Sequence, residues 1–259
     1  MPELFRVFAL SHRFRNGRDA LKDIDLTIND GEFIVVAGRN GSGKTLLGRH
    51  LVGLSVPTSG RILFRGADVK NSVKAVRQAV GFVFQDTDSQ ILGQIVAEDV
   101  AFGPSNLGLS PGEIRERTEE ALSLVKLSGT ENRRPETLSG GEKRRLSIAG
   151  VLAMSPGCII LDEPFANLDF ESVQDIVRIC GNLKESGATI IIVTHEMEKI
   201  LLLADRLIIL DKGEKCFDGP PSSAEPEIFA EHGLACPYEG YFPWIYPRGI
   251  VAGNKPGEE

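Results

Sequence analysis

Short apolar runs alternate with longer stretches of helical periodicity over most of the chain. Residues 33–37, 158–161 and 189–193 are mostly apolar, and each run has the length of a buried strand. Residues 111–127 and 142–154 instead place apolar and charged positions at helical intervals. Strands that alternate with helices predict an α/β fold whose central, mainly parallel sheet is covered by helices.

Both ends of the chain depart from this pattern. Residues 4–28 alternate apolar and polar positions around Asn16-Gly17, which predicts short antiparallel strands joined by turns. Residues 220–259 are rich in proline and glycine with interleaved aromatic residues, and their pattern predicts no regular element. Within this extension, residues 253–259 have the composition of a disordered terminus.

Composition narrows the class of protein. With 259 residues, of which 42% are hydrophobic, the chain can bury one sizeable core. Its net charge of −7 argues against a nucleic-acid partner, because proteins that bind nucleic acid usually carry a basic excess. The four cysteines are far apart, which favours reduced thiols over a zinc or disulfide framework. We expect no signal peptide and no membrane span, so that a membrane role would require a partner.

A glycine-rich turn follows the first apolar strand and leads into a helix. It fits the pattern GxxxxGK[ST], in which backbone N–H groups and the helix N-terminus attract phosphate oxygens. Lys44 is predicted to reach the β- and γ-phosphates from a solvent-accessible position, and Thr45 to bind Mg²⁺. An ordinary glycine-rich turn is the alternative, which the strand–turn–helix context disfavours. The predicted phosphate-binding residues are Gly38, Arg39, Asn40, Gly41, Ser42, Gly43, Lys44 and Thr45.

Polar residues end the next two core strands. Asp162 is placed to hold Mg²⁺ beside the phosphate loop, and Glu163 to act as the general base that polarises the attacking water. His195 ends the third strand, where it could hydrogen-bond the γ-phosphate or the water. Without the phosphate loop, two solvated acids and a histidine at the rim of the core would be the simpler interpretation.

A second anion site is predicted at the start of the helix over 142–154. Ser139, Gly140, Gly141 and Glu142 combine an N-capping serine with two glycines at a helix N-terminus. One chain needs only one phosphate loop, so a second anion site suggests that it serves a nucleotide bound to another subunit. The alternative is a plain serine N-cap.

In combination, these motifs resemble those of ABC ATPases over about residues 5–218. Walker A, LSGGE, Walker B, the stretch Asn167-Leu168-Asp169 and His195 occur in the order and spacing of that family. The resemblance implies a P-loop NTPase fold with an N-terminal antiparallel β-subdomain and a helical signature subdomain. It also implies a head-to-tail dimer in which ATP and Mg²⁺ lie between Walker A of one subunit and LSGGE of the other.

The resemblance assigns further roles and boundaries. Phe14 lies where the family places the aromatic that stacks on adenine, although tyrosine is commoner there. Gln85 corresponds to the residue that touches Mg²⁺ and links to the membrane subunit, and Asp169 to an aspartate at the dimer interface. The ABC ATPase domain is expected over residues 4–219. Its helical subdomain is expected at about 86–155, with the extension at 220–259.

Four segments between Walker A and LSGGE carry a narrower resemblance: VGFVFQD at 80–86, DSQ at 88–90, EDVAFGP at 98–104 and NLGL at 106–109. They are similar to segments in the ATPases of energy-coupling factor transporters, a group of cobalt, nickel and vitamin importers. This resemblance implies a peripheral protein at the cytoplasmic face of the membrane. Its partners would be a second ATPase subunit, integral membrane transporter subunits and a membrane substrate-binding subunit.

Other functions are possible within the ABC ATPases. The stretch between Lys44 and Ser139 is too short for the long coiled-coil insertion of DNA-repair members. Members that act in translation carry two tandem nucleotide domains, whereas this chain has a single set of motifs. Residues 98–104 argue against an exporter, and intact Glu163 and His195 argue against a non-catalytic subunit. No residue names the transported solute, and one set of motifs permits either a homodimer or pairing with a paralogue.

Overall fold

The structure is a computed structural model that describes residues 2–235. The predicted disorder of residues 253–259 lies outside this range. Within it the chain forms ten strands and seven α-helices. In chain order they are β1 (Glu3–Arg13), β2 (Asp19–Asn29), β3 (Phe33–Ala37), α1 (Lys44–Leu51), β4 (Ser59–Phe64), β5 (Ala67–Asp68), α2 (Val69–Ala79), β6 (Val80–Val83), α3 (Val96–Asn106), α4 (Pro111–Leu124), α5 (Gly140–Leu152), β7 (Cys158–Asp162), α6 (Phe170–Glu185), β8 (Thr189–Thr194), β9 (Arg206–Asp211), β10 (Glu214–Gly219) and α7 (Pro226–Glu231).

The large sheet has the strand order β10-β9-β3-β8-β7-β6. All its neighbouring strands run parallel except β10, which is antiparallel to β9. Every residue of β3, β7 and β8 is buried, because helices and the small sheet cover both faces of these central strands. The predicted α/β fold with a mainly parallel sheet is therefore confirmed.

The small sheet is antiparallel and has the order β2-β1-β4-β5. Its buried face contributes Phe5, Val7 and Leu10 to a core cluster that also includes Leu47 and Leu51 of α1. This packing places the tip of the β1–β2 hairpin beside the glycine-rich turn that precedes α1. The antiparallel β-subdomain expected from residues 4–28 is thus present, with two long strands in place of several short ones.

The helices α3, α4 and α5 contact one another in a layer at the β6 end of the large sheet. Ser110 begins α4 with a capping box, in which its side chain accepts from the backbone of Glu113 and the Glu113 carboxylate accepts from the backbone of Ser110. The helix predicted within residues 111–127 is therefore present as α4. Helix α1, the helix predicted after the glycine-rich turn, ends at Leu51, and Gly53 just beyond it adopts a left-handed φ of 64°.

The chain beyond β10 folds back on the core. Phe229 of α7 is fully buried in the cluster that includes Phe33 and Val35 of β3, and Leu234 packs into the same cluster. The proline- and glycine-rich sequence gave no sign of this helix, since its apolar positions are too few to show a period. Within residues 2–235, each helix is either too short or too polar to cross a lipid bilayer.

Candidate functional site

The carboxyl ends of β3, β7 and β8 meet at one edge of the large sheet, beside the first turn of α1. This edge is where ligands bind in open α/β sheets. A cavity of about 550 Å³ opens there, between the glycine-rich turn and the tip of the β1–β2 hairpin. Residues predicted from the sequence that line this cavity are Phe14, Asn40, Gly41, Gly43, Lys44, Thr45, Gln85 and Glu163.

Glycine is required at the last position before α1. Gly43 has a φ of 107°, and a Cβ atom there would lie 2.7 Å from both the Ala20 carbonyl oxygen and Leu21 Cδ2. The loop can therefore approach the small sheet closely only with glycine at this position. Behind it, Ser42 is 3% exposed and its hydroxyl has no hydrogen-bond partner among the described residues, so the loop retains an unused polar group.

Lys44 is buried, with only 5% of its surface exposed. Its ammonium donates to the backbone carbonyls of Gly38 at 2.7 Å and Arg39 at 3.1 Å. The same nitrogen lies 3.6 Å from Oε1 of Glu163. Burial lowers the pKa of Lys44, and the carboxylate of Glu163 opposes that shift. The expectation of a solvent-accessible lysine was wrong, since this side chain holds the loop together from inside.

Asp162 and Thr45 form the second pair of the site. The Thr45 hydroxyl donates to Oδ1 of Asp162 at 2.7 Å, and Asp162 is 1% exposed. Burial raises the pKa of the Asp162 carboxyl, while the bond from Thr45 acts in the opposite direction. A cation would stabilise such a buried carboxylate. Hydroxyl, carboxylate and amide oxygens are the ligands that Mg²⁺ prefers, so the predicted set of Thr45, Gln85 and Asp162 fits this ion.

Glu163 is fixed by the strand beside it. Its backbone has a left-handed φ of 47°, which is strained for a residue with a side chain, and its N–H donates to the Val193 carbonyl at 2.7 Å. Oε2 accepts from the Thr194 hydroxyl at 3.1 Å and from the His195 backbone N–H at 3.3 Å. The His195 Nδ1 lies 2.9 Å from the same oxygen. The two predicted catalytic residues are therefore in direct contact.

The residues implied by family resemblance stand at the rim of the cavity. Phe14 is 43% exposed, and its ring makes an edge contact with His12. Gln85 is exposed just beyond β6, and its backbone carbonyl accepts a hydrogen bond from Arg144 at 2.7 Å. Arg39 is exposed on the outer side of the loop, where it lies against Gly233.

The signature residues lie outside this cavity and form the N-terminus of α5. The Ser139 hydroxyl accepts from the Glu142 N–H at 3.2 Å, and the Glu142 carboxylate accepts from the Ser139 N–H at 2.8 Å. Ser139 and Gly140 are exposed, whereas Gly141 packs so closely on Ser172 that a Cβ atom would lie 2.0 Å from the Ser172 hydroxyl oxygen. Within the described residues, the second predicted anion site is thus separate from the first.

Asp169 caps the next helix. Its side chain accepts from the Ser172 N–H at 2.8 Å, and this bond holds the pKa of the carboxyl below its usual range. Asp169 is itself exposed. Because Ser172 also touches Gly141, the start of α6 is packed against the start of α5, and the two exposed helix ends form one surface.

Several residues of the site were not predicted from the sequence. His12, Arg18, Arg49 and Ser55 all line the cavity. Only His12 carried a usable signal, since it stands two positions before Phe14, the residue predicted to stack on adenine. Arg144 was also missed, because a run of basic residues after LSGGE does not say which of them is buried.

Comparison with known proteins settles the family. The model of the ABC transporter family matches residues 21–166, which include the phosphate loop, the signature and both carboxylates. The chain belongs to the ABC transporter family. A chain of this family binds and hydrolyses ATP, so the prediction of an ABC ATPase from the motifs is confirmed.

Several relatives of this ABC ATPase are named for one type of transporter. The energy-coupling factor transporter ATP-binding protein EcfA1 of Caldanaerobacter subterraneus is 44% identical over 84% of this chain and 80% of its own. The protein EcfA of Methanosarcina acetivorans is 38% identical over 91% of this chain and 93% of its own. The predicted resemblance to the energy-coupling factor ATPases is confirmed.

Solved structures agree with the fold. The structure of cbiO1 from Clostridium perfringens, described as part of the ABC transporter complex cbiONQ, has a TM-score of 0.79 at 35% identity and covers 89% of this chain and 92% of its own. A dimeric ATP-binding cassette in a post-hydrolysis state, bound to ADP and Pi, has a TM-score of 0.76 at 28% identity, with coverage of 84% and 98%. This ABC ATPase therefore has the fold of its family.

Proposed function

We propose that this ABC ATPase powers an importer of the energy-coupling factor type and takes up a micronutrient, either a transition metal ion such as cobalt or nickel or a vitamin. One observation carries the proposal: the nucleotide cavity and a large apolar groove share the segment that follows β6. Phe84 and Gln85 leave the strand at the cavity, and the groove begins at Phe84. The names of the relatives support the same type of transporter.

ATP would bind with its phosphates in the glycine-rich turn. Phosphate oxygens would take over the ammonium of Lys44 from the two loop carbonyls and from Glu163, because a negatively charged ligand is a stronger acceptor than a carbonyl. That exchange frees Oε1 of Glu163 while its Oε2 stays bound to Thr194 and His195. Glu163 would then accept the proton of the attacking water, and His195 would present its exposed ring to the γ-phosphate.

Magnesium fits the same edge of the sheet. Thr45, Asp162 and Gln85 would hold the ion, which supplies charge neutralisation at the β- and γ-phosphate oxygens. Thr45 and Asp162 are already joined by a hydrogen bond of 2.7 Å, so their oxygens need little rearrangement. The exposed amide of Gln85 would complete the set and would connect it to the segment that follows β6.

Two ATPase subunits would close on each other. The exposed helix end at Ser139 and Gly140 attracts anions and lies outside the cavity of its own subunit, and Asp169 lies on the same surface. A head-to-tail dimer brings the α5 N-terminus of one subunit to the nucleotide of the other. The dimeric cassette bound to ADP and Pi supports this arrangement. Homodimer and pairing with a paralogue are both compatible with it.

The groove provides a place for the membrane partner. It has a volume of about 780 Å³ and lies between α2, α3 and α5. Three large hydrophobic side chains on its walls are exposed: Leu54 at 43%, Phe102 at 52% and Leu92 at 65%. An exposed apolar groove between helices suits an amphipathic helix, so we assign it to a cytoplasmic helix of an integral membrane subunit. The cbiONQ complex of the solved relative supports this occupant.

The groove is linked to the nucleotide through Gln90. Its side-chain oxygen accepts from the Phe84 N–H at 2.9 Å, directly before Gln85. Leu92, two positions later, donates its backbone N–H to Oδ1 of Asp99 at 2.7 Å, which fixes its exposed side chain at the groove. Movement of a bound helix against Leu92 would therefore reach Gln85 through a short, hydrogen-bonded segment.

The proposal is tested by isolating the complex. The tagged chain is extracted from membranes of its own source in mild detergent, and the integral membrane proteins that copurify are identified. We expect a transporter subunit and a small substrate-binding subunit, and ATPase activity that rises when both are present in liposomes. Recovery of active ATPase without any membrane subunit, from membranes and from the soluble fraction alike, would contradict the importer and favour an ABC ATPase that is not coupled to transport.

A further inference from the structure

His12 lines the nucleotide cavity beside Phe14, and His50 is buried behind it. His50 of α1 is 1% exposed, and its Nε2 lies 3.1 Å from Nδ1 of His12 in β1. The Nδ1 of His50 lies 3.0 Å from the backbone carbonyl oxygen of Ser55. His12 and Ser55 both line the cavity together with Phe14. A chain of hydrogen bonds thus runs from a carbonyl, through a buried histidine, to a histidine at the cavity.

The Ser55 carbonyl decides which atoms donate and which accept in these hydrogen bonds. A carbonyl oxygen can only accept, so Nδ1 of His50 must carry the hydrogen. Burial, and then the neighbouring His12, lower the pKa of His50 to about 4, so the ring is neutral and its Nε2 is an acceptor. His12 must therefore donate through Nδ1–H. In its neutral form, His12 is left with a lone pair on Nε2.

The free nitrogen is the one that His12, a residue lining the cavity, has available for a ligand. Nδ1 of His12 is turned towards the buried His50, so Nε2 lies on the part of the ring that is farther from the core. The rings of His12 and Phe14 stand at 72° with centroids 5.0 Å apart. A base that stacks parallel to Phe14 consequently meets the imidazole at an angle, which suits a polar contact better than a second stack.

We propose that His12 recognises the adenine base: its Nε2 accepts a hydrogen bond from the exocyclic amino group, and His50 is the positioning residue that fixes the required tautomer. The proposal rests on the nucleotide site described under the proposed function. An acceptor at this point favours the 6-amino group of adenine and disfavours the 6-oxo group of guanine or hypoxanthine, since two acceptors would face each other. Phe14 supplies affinity for any base, and His12 supplies the choice among purines.

The test compares ATP with purine riboside triphosphate, which has hydrogen in place of the 6-amino group. Binding of each nucleotide to the full chain is measured by calorimetry. The wild type should bind ATP about 3- to 10-fold more tightly, as expected for one neutral hydrogen bond. In His12→Phe the ratio should fall to about one, because the variant keeps a flat ring and loses the acceptor, while affinity for purine riboside triphosphate is retained.

Phe14→Ala is the matched control. It should weaken both nucleotides by the same factor, since stacking does not depend on the 6-amino group. An unchanged preference for ATP in His12→Phe would overturn the proposal. A loss of affinity for both nucleotides to the same extent in that variant would also overturn it, because His12 would then contribute shape alone. Failure of the wild type to bind either nucleotide would instead reject the nucleotide site itself.

The role of His50 is tested by a spectroscopic signature. Nitrogen and carbon chemical shifts of the labelled imidazole should show the neutral Nδ1–H tautomer of His12 in the wild type. In His50→Phe the two tautomers of His12 should mix, and the preference for ATP should fall although His12 is present. An Nε2–H tautomer of His12 in the wild type would overturn the assignment, and this measurement does not depend on the variant being folded.

Discussion

The guanidinium of Arg144 donates to the backbone carbonyl of Gln85 at 2.7 Å. It also donates to the carbonyl of Phe84 at 2.8 Å, and Arg144 is only 4% exposed. Strand β6 ends at Val83, so these two carbonyls lie just beyond the reach of the sheet. These two carbonyls therefore have no partner strand, and a side chain of α5 supplies their hydrogen-bond donors instead. The helix that carries the signature is thereby tied to the segment that follows β6.

Replacing this arginine should loosen that segment. Arg144→Gln leaves the partly buried carbonyls of Phe84 and Gln85 without full partners, so we expect the free energy of unfolding to fall by about 1–2 kcal/mol. Amide hydrogen exchange at 84–90 should also become faster. Urea denaturation and exchange mass spectrometry measure the two effects. Lys143→Gln is the control, because Lys143 pairs with Asp88, whose side chain is 72% exposed, and surface pairs contribute little. Equal effects of the two substitutions would contradict this role of Arg144.

Glu163→Gln should separate ATP binding from hydrolysis. The amide keeps the size of the side chain and can still accept from Thr194, but it cannot take the proton of the water. Turnover should fall about 10²- to 10⁴-fold while ATP binding is retained. With ATP and Mg²⁺ the variant should elute as a dimer in size-exclusion chromatography. Normal turnover would rule out Glu163 as the base, and an exposed acid on α4, Glu120, provides the control for loss of charge.

Lys44→Ala should affect both activity and the loop. Loss of a phosphate ligand should abolish ATPase activity. Because the ammonium also binds the carbonyls of Gly38 and Arg39, we expect the free energy of unfolding to fall by about 1–2 kcal/mol. Activity assays and urea denaturation test the two statements separately. A fully active variant would contradict the phosphate-binding role, whereas an inactive variant of unchanged stability would show that the loop does not need its lysine.

Leu92→Asp should uncouple the ATPase from its membrane partner. Leu92 is 65% exposed at the groove, so a charge there spoils an apolar contact without disturbing the core. Basal ATPase activity should persist, while stimulation by the membrane subunits and solute uptake should fall together. Leu202→Asp is a matched control, since Leu202 is 63% exposed and lies outside the groove. Wild-type uptake in Leu92→Asp would reject the groove as the transmission surface.

Acid should destabilise the protein through His50. The pKa of this residue is about 4 in the folded protein against 6.5 for a free histidine, so unfolding takes up a proton between these values. The stabilisation is complete above pH 6.5 and is lost as the pH falls towards 4, up to about 3 kcal/mol. Urea denaturation across this range should show a steeper decline for the wild type than for His50→Gln. Parallel declines would contradict the burial of a neutral histidine.

The sequence predicted the elements whose signal is local. The strand 33–37, the glycine-rich turn and the helical stretch within 111–127 are each specified by neighbouring residues, and the structure has them where they were expected. The motifs also placed Lys44, Asp162 and Glu163 at one edge of the sheet, because parallel strands bring their carboxyl ends together.

The features of the fold and the site that the sequence did not predict depend on contacts between distant parts of the chain. Lys44 lies against Glu163, just beyond the end of β7, and the pairing of His12 with His50 brings β1 against α1. Neither contact leaves a periodic trace in the sequence. Arg144 illustrates the same limit, since it and Lys143 are adjacent cations and only the packing of α5 decides which one is buried.

The capping box at Ser139 and Glu142 has a consequence for how firmly two subunits hold each other. The helix end that would receive a partner's phosphate already has an acceptor of its own, the Ser139 hydroxyl, bound to the Glu142 N–H at 3.2 Å. An arriving phosphate therefore replaces one acceptor by another, and only the difference between the two bonds favours association. When phosphate leaves, the serine can resume its place at once. The two halves of the dimer would then part readily after each turnover, as a repeating cycle requires.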